Sequence, residues 1–277
     1  MTILLMSLLV GLGAFAAGLL GALTGLGGGI VIVPLLTIAF GVDLRYAIGA
    51  SLVSVIATSS GAAAAYVKEG YTNIRVGMLL EVATTIGALA GAYLAGWISP
   101  NAIAVIFAIV LLFTAIQSFR PPAEHLSDAS DPLARQLRLA SDYPTPAGRQ
   151  PYEVRNVPTG FGLMFLAGIL SALLGIGSGV VKVLAMDRAM HLPFKVSTTT
   201  SNFMIGVTAA ASGGVYLSRG YIDPILALPV MLGVLLGALV GARVLSRAPT
   251  RALRLLFTAV VVVLAAEMLY KGITGRV

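Results

Sequence analysis

The 277 residues are 58% hydrophobic and only 10% charged, with a mean hydropathy of +0.96 and a formal net charge of +7, which leaves too little polar surface for a soluble globule of this length. The basic residues are scattered among loops between apolar stretches rather than gathered on one polar face, which excludes a nucleic-acid binder. With no cysteine, and with His125 and His191 far apart in sequence, there is no disulfide framework, thiol nucleophile or metal cluster, so neither metal nor cofactor is expected.

The first apolar stretch covers residues 3–24. Ala14-Phe15-Ala16 imitates a leader cleavage site, but no positive segment precedes it and cutting there would remove most of the opening helix, so a retained helix is expected. Gly25-Leu26-Gly27-Gly28-Gly29 then stops the helix, since each glycine in a helix interior costs roughly 1 kcal/mol. The next apolar piece, residues 30–40, is too short to cross a hydrocarbon core about 30 Å thick at about 1.5 Å per residue. The opening therefore reads as a broken hairpin. Ordinary spans follow at about 46–66, 74–97 and 101–119.

At residues 121–158 the composition changes to prolines, acids and arginines, which predicts an aqueous, largely irregular linker with a short surface helix over 133–140. Beyond it the chain starts again. Residues 167–183, A-G-I-L-S-A-L-L-G-I-G-S-G-V-V-K-V, echo residues 17–33 at an offset of 150 that holds without a gap through Ser51/Ser201, Thr58/Thr208, Tyr71/Tyr221 and Gly91/Gly241. A second short opening, 161–174, a second break, Gly175-Ile176-Gly177-Ser178-Gly179, and spans at about 196–217, 222–245 and 252–270 complete the copy. The expectation is an all-α polytopic membrane protein: repeat one at 1–120, linker at 121–158 and repeat two at 159–277, with about five helical segments in each repeat.

The distribution of Lys and Arg decides between two topologies. If each opening is a single span, the two sides carry 10 and 7 basic residues; if each is a hairpin that enters and returns, they carry 13 and 4. The hairpin count obeys the positive-inside rule better. It gives each repeat an odd number of segments, so that the repeats are inverted relative to each other, the linker is cytoplasmic and both ends of the chain lie outside.

A glycine break followed at once by a helix exposes backbone N–H groups at the positive end of the helix dipole, which suits an anion. Gly27, Gly28 and Gly29 in one copy and Gly177, Ser178 and Gly179 in the other are the candidate substrate-binding turns; the competing account is that these glycines only permit tight turning. As a dinucleotide fingerprint they fail, because no strand precedes them. Lys182 follows the second break where the first copy has Ile32, and it either adds a charge to the site or snorkels to the headgroups. Among the many helix hydroxyls, most of which cap or back-bond their own helix, Ser51, Ser201 and Asn202 are singled out as substrate contacts. Glu81, deep in its span with Met231 as its repeat-mate, is a proton carrier or a partner to Lys182, or else a structural acceptor between helices. No nucleophile is paired with a base, so no enzyme is expected.

The doubled G-x-G-G-G-type openings, V-K-V at 181–183, L-L-E-V-A-T-T-I-G-A at 79–88 and K-V-S-T-T-T-S-N-F at 195–203 resemble the TauE/SafE group of sulfite exporters and organosulfur-anion permeases. The resemblance covers both repeats and departs at Ser178, where the break often has glycine, and at Leu184, where proline often follows K-V. It implies a secondary transporter in the cell membrane, exporting a small anion such as sulfite, an organosulfonate or a related organic acid by alternating access, with protons as the possible second partner. A passive anion channel, or a membrane scaffold acting through the linker, are the alternatives.

Overall fold

The structure is a computed structural model; it describes residues 3–24, 29–68, 70–118, 131–145, 148–245 and 250–275. Helices α1 (Ile3–Thr24), α2 (Gly29–Ala39), α3 (Leu44–Lys68), α4 (Ile74–Leu94) and α5 (Pro100–Ser118) precede the linker. After it come α7 (Val157–Leu174), α8 (Gly179–Leu184, continued as a π-helical turn, Ala185–Ala189), α9 (Phe194–Ser218), α10 (Pro224–Leu245) and α11 (Thr250–Thr274). Among the described residues, four helices are long and apolar enough to cross a membrane, within α4, α5, α7 and α10. Leu228, Leu232 and Leu236 on α10 and Met78, Val82 and Ile86 on α4 are exposed at a spacing of four. Such stripes would be a liability in water and are the lipid-facing surface of a bundle. The chain is an all-α polytopic membrane protein. α9 falls outside the apolar set because Ser197, Thr199, Thr200, Ser201, Thr208 and Ser212 are all buried against other helices instead of facing lipid.

Both openings fold back on themselves. Gly13 of α1 lies against Leu35 and Phe40 at the far end of α2, so α2 returns along α1. In the second copy Ser178 bonds back to Ala167, and the end of the π turn, Ala189, accepts from Asn156 at the start of α7. The two return legs differ in sequence and in winding at one register. α2 carries Pro34, which cannot donate its backbone bond; the second copy has Leu184 there and winds into the π turn instead.

The closest helix pairs cross the linker. Gly18 of α1 abuts the carbonyl of Val234 on α10, and its repeat-mate Gly168 of α7 abuts the carbonyl of Thr84 on α4. Gly87 and Gly237 repeat the pattern against the carbonyls of Phe165 and Phe15. Without a Cβ at these positions the backbones meet directly, which is how small-xxx-small faces pack helices in lipid. α3 lies antiparallel to its repeat-mate α9, with Ser59 against Gly206 and Ile56 against Gly213; α5 is antiparallel to α11, with Asn101 and Val105 against Gly272.

The linker differs from the sequence expectation. α6 (Pro132–Gln136), capped by Asp131, matches part of the expected surface helix, but residues that read as irregular form an antiparallel hairpin, β1 (Ser141–Thr145) with β2 (Gly148–Tyr152). Proline-rich strands pair here because Pro144 and Pro151 sit in an isolated two-stranded ribbon, where each strand has a free edge. The hairpin is held to the bundle by Asn73, which caps α4 through Val76 N–H (3.1 Å) while its amide donates to the Leu139 carbonyl (2.9 Å) and the Tyr152 hydroxyl (2.8 Å). Burial pushes the Tyr152 phenol up to about 12, so this contact stays protonated across the physiological range. Asn73→Ala removes a cap worth about 1 kcal/mol and leaves the Leu139 carbonyl unpaired, so thermal unfolding should come earlier and limited proteolysis should cut the 139–152 hairpin faster than in the parent protein.

The basic residues segregate by face. Arg75 donates to Arg138 of the linker and Lys195 lies over the Tyr71 ring at 4.8 Å, whereas Arg45 pairs with Tyr221 and Arg219 caps the end of α4 through the Ala92 carbonyl at the opposite ends of the same helices. Arg45/Tyr221 and Lys195/Tyr71 are the same pair at the 150-residue offset.

Candidate functional site

Gly29, the last glycine of the first break, meets the second break inside the bundle. α2 and α8 both begin there and leave in opposite directions, α2 toward the face that holds Lys271 and α8 toward the linker. A Cβ at Gly29 would stand 3.1 Å from the Gly175 carbonyl oxygen and 3.1 Å from the Ser51 hydroxyl. Gly27 and Gly28 lie outside the described residues. The second turn needs its glycines for conformation: Gly175 and Gly177 have φ of +67° and +69°, and Ser178 shares this left-handed region at +43°.

The hydroxyls singled out from sequence are engaged with these turns. Ser51 donates to the Gly175 carbonyl (2.6 Å), Ser178 to the Ala167 carbonyl (2.6 Å) and Ser201 to the Gly179 carbonyl (3.3 Å). They lock the backbone of the second break, and Ser51 does so from the first repeat. Asn202 is only partly buried and sits about 100° around α9 from Ser201, away from the buried row. Between the turns stand Val55 and its repeat-mate Ile205, which touch Gly29, Gly177 and Gly179. Branched aliphatic side chains thus pack directly against the glycines of both copies.

Beside the turns is a polar cluster made by three elements. Lys182, with no exposed surface, donates from Nζ to Thr208 Oγ1 on α9, and Thr208 donates to Glu81 Oε1 on α4 at 2.8 Å. Thr85 reaches the same carboxylate oxygen at 3.3 Å, and Thr84 bonds the Glu81 carbonyl. Glu81 Oε2 is buried without a hydrogen-bond partner. A lysine buried at this depth cannot snorkel: its ammonium is committed to the protein interior, where an uncompensated charge is costly. The sequence analysis did not single out Thr208, which joins the two charges; Thr58 at the same register of the other repeat bonds only the Ser54 and Val55 carbonyls of its own helix. Neither charge has a copy, because the repeat-mates of Lys182 and Glu81 are Ile32 and Met231.

An apolar belt, two helical hairpins whose return legs start inside the bundle and a buried lysine on one of those legs define a polytopic helical membrane protein with a polar site in its interior. The chain belongs to the family described as "Sulfite exporter TauE/SafE", whose profile matches residues 10–268. It is 28% identical over 265 residues to the "Probable membrane transporter protein YunE" of Bacillus subtilis (strain 168), covering 93% of this chain and 95% of that one. It is likewise 28% identical over 247 residues to the "Probable membrane transporter protein MJ0441" of Methanocaldococcus jannaschii, covering 83% and 84% of the two chains. No solved structure matches.

Proposed function

We propose that the protein is a secondary transporter of a small anion, such as sulfite, an organosulfonate or a related organic acid, working as an exporter by alternating access, with Glu81 taking part in proton coupling. The observation that carries this is Lys182: a fully buried ammonium on the helix that starts at the second break, with one carboxylate to balance it through Thr208. An anion arriving there meets a full positive charge and the N–H ends of α2 and α8, while the flanking aliphatic side chains exclude water and so strengthen each interaction. The substrate class and the export direction follow the family description.

The repeats act as inverted copies with a cytoplasmic linker, as the 13-to-4 division of basic residues and the antiparallel packing of α3 on α9 support. Because α1 packs on α10 and α4 on α7 through direct backbone contact, the units that rock are cross-repeat pairs rather than one repeat against the other. Opening then withdraws Val55 and Ile205 from the glycine turns.

Purified protein in liposomes tests this with sulfite, methanesulfonate, sulfoacetate and lactate as labelled probes. Uptake of at least one, stimulated by the same anion trapped inside, is expected of a carrier. Uptake without such counterflow indicates a channel, and no uptake of any probe, with or without a pH gradient, removes the anion assignment.

A further inference from the structure

The chain Lys182–Thr208–Glu81 holds two opposite charges on one hydroxyl, and this fixes how protons and substrate are coupled. Thr208 accepts from Lys182 and has three possible acceptors for its own proton, Glu81 Oε1 at 2.8 Å, the Met204 carbonyl at 3.1 Å and Thr84 Oγ1 at 3.4 Å. The first joins the two charges through one hydroxyl; the second is the back-bond that Thr58 makes in the other repeat. Resting on the anion-transport reading above, we propose that one monovalent anion and one proton bind together and cross together: the anion takes Lys182, and the proton takes the buried, unpartnered Oε2 of Glu81.

The argument is one of charge. With the site empty, Lys182 and Glu81 cancel. With an anion on Lys182 and a proton on Oε2 of Glu81, the cluster is again neutral, and Oε1, now the carbonyl oxygen of the acid, still accepts from Thr208. An anion without the proton leaves a net negative charge, and a proton without the anion leaves a net positive one. Either is uncompensated in a low-dielectric interior, so half-loaded carriers rock rarely. Both neutral states cross freely.

No other charge disturbs this balance among the described residues. α7, packed on α4, has no titratable side chain at all. On α9, Lys195 stacks on Tyr71 at the linker face and Tyr216 donates to the Ala172 carbonyl. On the return leg, Arg188 lies 3.4 Å from its own neighbour Asp187 near the linker, and on α4 itself Arg75 is tied to Arg138 and Tyr93 lies under Arg219. Lys182 is the charge that acts on Glu81. Reciprocity follows: whatever factor a proton contributes to anion affinity, the anion contributes to proton affinity. An acid exterior therefore drives the anion inward, and export runs only when the outward anion gradient exceeds the pH gradient.

Methanesulfonate, a monoanion at any working pH, is the probe. In proteoliposomes, an acid-outside gradient should accumulate it by up to about tenfold per unit of pH difference, and a potassium–valinomycin potential should leave the accumulation unchanged. Binding to detergent-solubilised protein should take up one proton per anion, read with a pH indicator in weak buffer; this measurement needs no variant. Glu81→Gln should lose both pH-driven accumulation and the proton taken up on binding, and Thr208→Ser should keep the coupling that Thr208→Val weakens. Counterflow in the parent protein that ignores the pH gradient, accumulation driven by the potential, or a Glu81→Gln protein still driven by pH overturns the coupling and spares the anion reading. A protein that moves sulfite but never methanesulfonate overturns the monoanion assignment, and absence of counterflow for every probe overturns both readings.

Discussion

Lys182→Met should abolish anion uptake and lower thermal stability, and adding Glu81→Gln should restore most of the stability and none of the uptake. Removing one member of a buried ion pair leaves its partner uncompensated, and such truncations cost about 3–5 kcal/mol. Protonation of the stranded Glu81 softens that loss, so the single variant should sit at the lower end of the range. The double variant leaves neutral, similarly shaped side chains around Thr208 and removes the penalty, because replacing both partners of a buried pair is often neutral. Transport follows the other logic. The substrate's charge needs the ammonium, and truncating one partner of a buried charge pair costs about 2–5 kcal/mol in binding, at least about thirtyfold in affinity. Thermal unfolding in detergent and counterflow in liposomes read the two effects separately. Recovery of uptake together with stability in the double variant would reduce Lys182 to a structural partner of Glu81.

The helical hairpins and the membrane assignment were legible because they rest on local chemistry: runs of apolar residues, and glycine turns that no helix tolerates. The repeat offset carried more. Gly18 and Gly168 occupy the same notch, and Arg45 and Lys195 stack on equivalent tyrosines, so one comparison of the chain with itself points to both. Thr208 was not legible as a bridge. Its role depends on α4 and α9 meeting at Glu81, and residues 127 apart carry no sign of that contact in composition or period. A signal was nevertheless present in the shared Thr58/Thr208 register beside an unshared Lys182. The linker hairpin was missed for the opposite reason. Pro144 and Pro151 read as strand breakers, and only an isolated ribbon with two free edges accommodates them. The hydroxyls of Ser51, Ser178 and Ser201 were expected at a substrate; in the bundle they donate to the carbonyls of Gly175, Ala167 and Gly179 and brace the second break, a demand that composition alone does not announce.

Gly18→Ala and Gly168→Ala should destabilise the protein by similar amounts, although each replaces glycine by the best helix former. In an exposed helix interior that change stabilises by roughly 0.5–1 kcal/mol. Here the added Cβ would stand 2.3 Å from the Val234 carbonyl oxygen in one case and 2.2 Å from that of Thr84 in the other. Both obstacles are backbone, so relief requires α1 to move off α10, or α7 off α4. Overpacking of this kind typically costs about 1–3 kcal/mol and therefore outweighs the gain in propensity. Gly162 and Gly214 provide the control: both lie in helices, nothing stands within 4 Å of a Cβ at either, and alanine there should leave the unfolding temperature unchanged or slightly raised. The two notches are far apart in sequence and share no partner, so the double variant should show the sum of the single losses. A clear loss at Gly18 with none at Gly168 would mean that the two cross-repeat pairs are not equivalent, and the proposal that they rock as matched units would fall with that result.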